Sequence, residues 1–414
     1  TTGKPGSTHI CLPHDVQKHT VASSDVWAQK EHCEYPAQRY VANSADITKA
    51  AQLILGAKSP VFICGGGVIN SGAEEILERI AQLLNIPVCT TVSGQGSLAG
   101  THPLNAGVVG ANGGVMATRD VVNAADLVFF ITCRAGSTTT ENWRFPNKSI
   151  PIIHLDVDPE TIGANYPTTI GLVGDAKLSL EQLYLDLKTH IQSRTANCID
   201  GKAIVAQAKA IKFESFLKLA NSNESPILPE RIVHTLNTLL PKDAIVCADP
   251  GTPCPYFSAY FLSDIPGRHF ITNRAHGALG FAMSAAIGAA IGKPQSKCVA
   301  GMGDGSFGFT VGELETITRY KFPILMIVIS NSVYGWIKAS QKSGYDQRYY
   351  SVDFNRTQHA KVAEAYGVKS WTVDDPQKLE GVIKAAIECG EPALVDIISQ
   401  PLQDAAAPVS QWMG

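Results

Sequence analysis

Two short polar turns, each closing an apolar run, constrain this chain more than any other feature. Gly303-Asp304-Gly305-Ser306 follows an apolar stretch at 297–302, and Ser330-Asn331-Ser332 follows another at 323–329. Between them, Thr310-Val311-Gly312-Glu313 has the Thr-x-x-Glu form of a capping box, which predicts a helix start. Strand, helix, strand is a βαβ unit, whose strands run parallel and side by side. Neighbouring strands lie roughly 4.8 Å apart. Asp304 and Asn331 should therefore stand together at the carboxyl edge of one sheet, where open α/β sheets bind ligands. A carboxylate and an amide oxygen so placed suit one hard divalent cation. Mg2+ takes few protein oxygens and completes its shell with water and phosphate. Gly305 and Ser306 are small enough for backbone amides to approach a phosphate. The pattern predicts a Mg2+–diphosphate site.

The rest of the chain is consistent with a large α/β protein. Its 414 residues suggest two or three domains, and 45% hydrophobic residues suffice for more than one core. A net charge of -3 without runs of like charge gives no reason to expect nucleic acid. The ten cysteines are scattered, with no Cys-x-x-Cys pair, and read as buried thiols in a reducing, cytoplasmic setting rather than as a zinc site. The longest uncharged apolar run, 277–292, is too short to span a bilayer and reads as a buried helix. No signal peptide is visible, and Thr1 in place of Met suggests a processed product or a fragment.

Residues 1–36 hold one candidate strand, at 8–12, which needs a sheet supplied from elsewhere. Residues 37–190 read as an α/β domain, with strands at 60–64, 87–91, 127–132 and 152–156 and a helix at 73–84. Residues 191–229 read as a linker ending in Pro226-Ile227-Leu228-Pro229. Residues 230–414 read as a second α/β domain, with strands at 244–248, 298–302, 324–329 and 393–398. The fold class expected is two doubly wound parallel sheets plus an N-terminal remnant strand.

The second domain resembles the diphosphate-binding domain of thiamine diphosphate enzymes of the acetolactate synthase and benzoylformate decarboxylase type. The resemblance rests on Ala248-Asp249-Pro250-Gly251, His276-Gly277-Ala278-Leu279-Gly280-Phe281, Ala285-Ala286-Ile287-Gly288-Ala289, 303–307, Glu313-Leu314, and Asn331 with Gly335. It extends over most of the chain. Residues 58–126 are similar to the family's central domain, and 3–16 to the last strand of its pyrimidine-binding domain. The resemblance implies roles. Asp304, Asn331 and the backbone oxygen of Val333 would bind Mg2+. Gly303, Gly305, Ser306, Gly251 and Thr252 would meet the diphosphate. The backbone of Gly277 and Leu279 would hold the aminopyrimidine, and the Leu279 side chain would bend thiamine diphosphate into its catalytic V shape. His276, beside the cofactor turn, is a candidate for proton transfer, and Trp336, with Lys338 and Gln341 on the same helix, would face substrate. Core packing for Leu279, a surface helix at 336–341 and a structural role for His276 are the alternatives.

The pattern is incomplete in three places. Ser330 stands where the family often has Asn, and Pro253 where acetolactate synthases have His. The pyrimidine-binding domain, which supplies the family's catalytic Glu, is absent except for its last strand. The resemblance then implies a carboligase acting on 2-oxo acids or related carbonyl compounds, active only with that domain supplied by another chain or segment. It also implies a homo- or hetero-oligomer such as a dimer of dimers. A 2-oxo acid decarboxylase and a noncatalytic nucleotide-binding or assembly subunit are the rival readings. Gly65-Gly66-Gly67 invites FAD or another nucleotide, but Asn70 stands where G-x-G-x-x-G has its third glycine, and a tight strand-to-helix turn is the simpler reading. His102, His154 and His359 give no sign beyond ordinary fold positions.

Overall fold

Runs of buried Val, Ile, Leu and Phe without polar alternation form strands only when both faces of a sheet are covered. The computed structural model, which describes residues 3–23, 29–30, 33, 35–273 and 276–410, has two such sheets. The first holds β1 (Pro60–Cys64), β2 (Val88–Thr90), β3 (Asn105–Val108), β4 (Leu127–Ile131), β5 (Ile152–Asp156) and β6 (Ile170–Val173), in the order β3-β2-β1-β4-β5-β6. The second holds β7 (Ile245–Ala248), β8 (Phe270–Ile271), β9 (Cys298–Gly303), β10 (Leu325–Ser330), β11 (Lys369–Val373) and β12 (Ala393–Ile398), in the order β11-β12-β10-β9-β7-β8. Every pairing within them is parallel.

Alternate residues of each strand feed opposite cores, as the period of two requires. In the first sheet, Phe62, Phe129 and Ile131 pack under the helices Ser44–Gly56, Glu74–Leu84 and Ala176–Thr189, with the Phe62 and Phe129 rings edge-on at 5.4 Å. Val61, Ile63, Val128 and Phe130 face the other way, beside Met116–Asn123 and Gly201–Ala220. In the second sheet, Val299, Ile327 and Val395 join one core and Ala300, Met326 and Leu394 the opposite one.

Segment 191–229 carries the helix Gly201–Ala220, which reaches both halves. Val205 and Ala208 lie in a core of the first sheet, while Phe216 and Ala220 lie in a core of the second. Val92 and Val108, from the first half, join that second core. The strand expected at 8–12 is not formed. The segment meets no sheet edge in this chain, and Ile10 and Leu12 are 76% and 63% exposed. The run expected as a buried helix is a helix over Phe281–Gly292 with one buried face, since Ala282, Met283, Ala286 and Ala290 pack on the sheet while Ile291 is exposed. No helix among the described residues is long and apolar enough to cross a membrane.

One buried acid is out of keeping with its surroundings. Glu230 opens the helix Pro229–Leu239, is buried, and leaves Oε1 without a hydrogen-bond partner. Burial raises its carboxyl from 4.5 to about 7. Between those two values the folded chain keeps a proton that the unfolded chain has released, so stability falls as pH rises through that window. Glu230→Gln should therefore be more stable than the parent at pH 8, by on the order of 3 kcal/mol, and melt at a higher temperature. The advantage should vanish near pH 4.5. Calorimetric melts across the pH range check this, and a pH-independent difference would contradict it.

Candidate functional site

The pairing of β9 with β10 sets the site. Gly303 lies opposite Ile329, so the chain leaves both strands at the same edge, with Asp304 and Asn331 just beyond. The Asp304 carboxylate locks this arrangement. Oδ1 accepts the amide of Gly305 at 2.9 Å, and Oδ2 accepts the amides of Asn331 at 2.8 Å and Ser332 at 2.6 Å. Desolvation pushes the Asp304 carboxyl upward, against the pull of those three amides. Among the described residues no salt bridge supplies it with a counter-charge. The Asn331 side chain lies beside it, with Oδ1 accepting the amide of Val333 at 3.3 Å and Nδ2 buried without a partner. A buried carboxylate without a salt-bridge partner and an amide oxygen on the neighbouring loop fit an oxygen-ligated divalent ion, while the unpaired Nδ2 is a donor suited to an anionic oxygen. No cluster of three His, Cys, Asp or Glu side chains that could hold a metal occurs among the described residues, so an ion here would use one carboxylate, an amide and backbone oxygen.

A second turn is built against this one. Gly277 and Gly280 take φ of +75° and +83°, a region that L side chains rarely enter, and between them they turn the chain at Leu279. Gly280 is also sterically required. A Cβ there would come within 2.8 Å of Thr310 Cγ2 and 3.0 Å of Phe309 Cβ, on the helix Asp304–Thr310 that carries the candidate metal ligand. Asp249, just past β7, ties the turn down from below. It is fully buried, and Oδ1 accepts the amides of Phe281 at 2.8 Å and Ala282 at 3.2 Å, the first two of the helix that follows. Burial raises its carboxyl to about 6, opposed by the amides of Ala282, Phe281 and Gly280 and by the Ser306 hydroxyl.

Between these turns lies a cleft of about 260 Å³. It is lined by Gly251, Thr252, Gly277, Leu279, Gly303, Asp304, Gly305, Ser306, Val333 and Trp336, all singled out from the sequence, together with Pro250, Tyr334, Gly335 and Ile337. Leu279 is half-buried and leans over the Gly251 turn, where a Cβ on Gly251 would lie 3.8 Å from Leu279 Cδ2. Asn331 is not among the lining residues and meets Asp304 through its backbone amide. His276 is exposed and does not line the cleft. Pro253 opens the helix Pro253–Tyr260, at the position where a missing N–H costs nothing.

Some local readings change. Thr310 does not cap the next helix. It is the last residue of Asp304–Thr310, its hydroxyl is buried without a partner, and Gly312 precedes Glu313–Tyr320. The Thr310 side chain is committed instead to the space above Gly280. Tyr334 is a cleft residue that no motif announced. Its ring fills the space over Gly305, where a Cβ would come within 2.7 Å. Asp249 lay within a quoted segment, but its capping role had no spacing signature. His359 is the largest omission: far from an ordinary position, it is buried in a network with Ser330 and Asp396.

The Gly65-Gly66-Gly67 turn owes its composition to packing. A Cβ on Gly65 would come within 2.0 Å of the Thr132 carbonyl oxygen, on Gly66 within 2.9 Å of the Ser93 carbonyl oxygen, and on Gly67 within 2.6 Å of Thr132 Cβ. Gly65 and Gly66 border a second cleft of about 440 Å³ with Thr132 and Arg134.

With this geometry in hand, comparison with known proteins is informative. Residues 249–397 match the family described as thiamine pyrophosphate enzyme, C-terminal TPP binding domain, and residues 47–183 match thiamine pyrophosphate enzyme, central domain. The chain is 33% identical over 418 residues to the probable acetolactate synthase large subunit of Methanococcus aeolicus, covering 97% of this chain and 68% of that protein. It is 33% identical over 412 residues to that of Methanocaldococcus jannaschii, with the same coverage. It is 29% identical over 388 residues to the acetolactate synthase isozyme 3 large subunit of Escherichia coli K12, covering 94% and 67%. The chain thus spans about two thirds of the length of these relatives.

Removing the acceptor beneath the Leu279 turn should loosen it. Asp249→Ala leaves two buried amides unpaired, a cost of about 1–3 kcal/mol. Hydrogen exchange at 279–283 should accelerate while the β1–β6 sheet keeps its protection. Unchanged exchange at the turn would show that Asp249 does not hold it.

Proposed function

We propose, since this chain belongs to the thiamine pyrophosphate enzyme family, that it is the cofactor-diphosphate and metal-binding part of an acetolactate synthase-type carboligase acting on 2-oxo acids. The observation that carries the reading is the buried Asp304 carboxylate, without a salt-bridge partner, bordering the cleft and joined to the Asn331 loop at the end of the adjacent strand. Bound thiamine diphosphate would supply an electron sink for breaking and making carbon–carbon bonds next to a carbonyl.

The chain's own residues divide the remaining work. Asp304, the Asn331 side-chain oxygen and the Val333 carbonyl hold Mg2+. Backbone at Gly303, Gly305 and Gly251, with the Ser306 and Thr252 hydroxyls, receives the diphosphate. Backbone of Gly277 and Leu279 receives the pyrimidine, and the Leu279 side chain, held by two left-handed glycines, limits the shape the cofactor can take. Trp336 and Ile337 border the mouth, where substrate enters. The exposed position of His276 supports no proton transfer within this cleft. The carboxylate that protonates the cofactor's pyrimidine comes from a pyrimidine-binding domain outside these residues, on a neighbouring subunit or another segment. The relatives' designation as large subunits supports an oligomer with a further subunit. The intact ligand pair argues against a noncatalytic assembly subunit.

Calorimetric titration tests the site. Thiamine diphosphate should bind only with Mg2+ present, and Asp304→Ala should weaken that binding by about 100-fold or more while the protein still unfolds cooperatively, at a lower temperature because three backbone amides lose their acceptor. Unchanged affinity in Asp304→Ala would refute the assignment. These 414 residues by themselves should bind cofactor yet show no turnover on 2-oxo acids, with turnover restored when a pyrimidine-binding domain is added. Activity of the unaided chain would mean that one of its own carboxylates does that work.

A further inference from the structure

Behind the two candidate ligand loops lies a buried polar group that no part of the site's chemistry uses. Ser330 is the last residue of β10, immediately before Asn331. Its Oγ lies 2.5 Å from Asp396 Oδ1 on β12 and 3.1 Å from Nδ1 of His359, which opens the helix His359–Ala365. His359 Nδ1 is itself 3.5 Å from Asp396 Oδ1. All three residues are buried. The hydroxyl proton of Ser330 goes to the carboxylate, its nearest acceptor, so Nδ1 faces two acceptors and carries the ring proton toward them. The imidazole also meets the other loop. The Phe307 ring stands edge-on to it at 5.3 Å and 87°, three residues after Asp304 on the same helix. One side chain therefore touches both segments, through Ser330 beside Asn331 and through Phe307 beyond Asp304.

We propose that His359, oriented by Asp396, is a positioning residue that braces the Asp304–Asn331 tie from behind, and so tunes the affinity of the divalent-cation site. The inference rests on the metal reading above and extends it to residues that touch neither ion nor cofactor. Partners behind a ligand shell typically change metal affinity by about 10–100-fold when removed. Asp304 already ties the two loops through the amides of Asn331 and Ser332, and His359 backs that tie by packing against the residue beside each ligand.

The test uses Mn2+ as the spin-active substitute for Mg2+, with thiamine diphosphate and the full-length protein. Cation affinity and the electron paramagnetic resonance spectrum of bound Mn2+ are read alongside thermal melts of metal-free protein. His359→Leu should weaken Mn2+ binding about tenfold and broaden its spectrum. His359→Asn, whose amide N–H can take the place of Nδ1–H, should recover most of the affinity. Ser330→Ala, which removes a single oxygen, should lie between them and serves as the readout if His359→Leu does not fold. Asp304→Ala separates the two claims. If it binds Mn2+ like the parent, the metal reading fails. If it loses Mn2+ while His359→Leu or Ser330→Ala keeps parental affinity and spectrum, the metal reading stands and the positioning role is overturned. Equal losses in His359→Leu and His359→Asn would likewise overturn it, by showing that the donor at Nδ1 is not what matters.

Discussion

The parallel pairing of β9 with β10, closed at its end by one carboxylate, is the constraint on which the candidate site depends. Strand register delivers two chain segments to the same edge, but by itself it fixes only where they leave the sheet. Asp304 adds the rest by accepting the amides of Asn331 and Ser332 from the neighbouring loop as well as that of Gly305 from its own. Charge-assisted bonds of this kind are roughly twice as strong as neutral ones. The Leu279 turn is then referenced to the same helix through the Gly280 contact with Phe309 and Thr310, and to the sheet through Asp249.

Three of the buried acids on this half of the molecule meet the cost of desolvation in three ways. Asp304 collects backbone amides and borders a cleft where a cation can approach. Asp249 is spent on the N-terminal amides of a helix, where partial positive charge favours it. Glu230, in the first turn of its helix, has only its own backbone amide to offset burial, and its carboxyl is the one of the three pushed furthest toward neutral pH. Burial alone does not distinguish these situations, whereas the partners of each carboxylate do.

The two halves show how similar sheets can differ at their edges. Each has six parallel strands, and each bends from a central strand into a glycine-containing turn. In the first half, all three glycines of 65–67 are pressed against neighbouring chain, mostly backbone. In the second, no atom lies within 4 Å of a Cβ built on Gly303 or Gly277, so those turns are open to a ligand. Identical residue types thus mark opposite situations, and only the surrounding chain tells them apart.

Much of this was legible beforehand. The cores of β1, β4, β7, β9 and β10 stand out as unbroken apolar runs, and β5 and β12 as apolar runs interrupted by His154 and Asp396, because strands covered on both faces need no polar alternation. The closeness of Asp304 to Asn331 follows from a βαβ unit, whose geometry is local and nearly invariant in hand. Most residues lining the cleft were within reach on the same grounds or through the resemblance. The short β8 and the half-exposed β11 carried too little pattern to be seen. What only the tertiary structure decided are the contacts between residues far apart in the chain: Asp249 with the amides of 281 and 282, Thr310 with Gly280, Tyr334 with Gly305, and His359 with Ser330 and Asp396. Periodicity and caps record the forces acting along a single element. A hydrogen bond or a close packing between distant elements leaves no spacing to read, since its partners meet only after the sheets have formed.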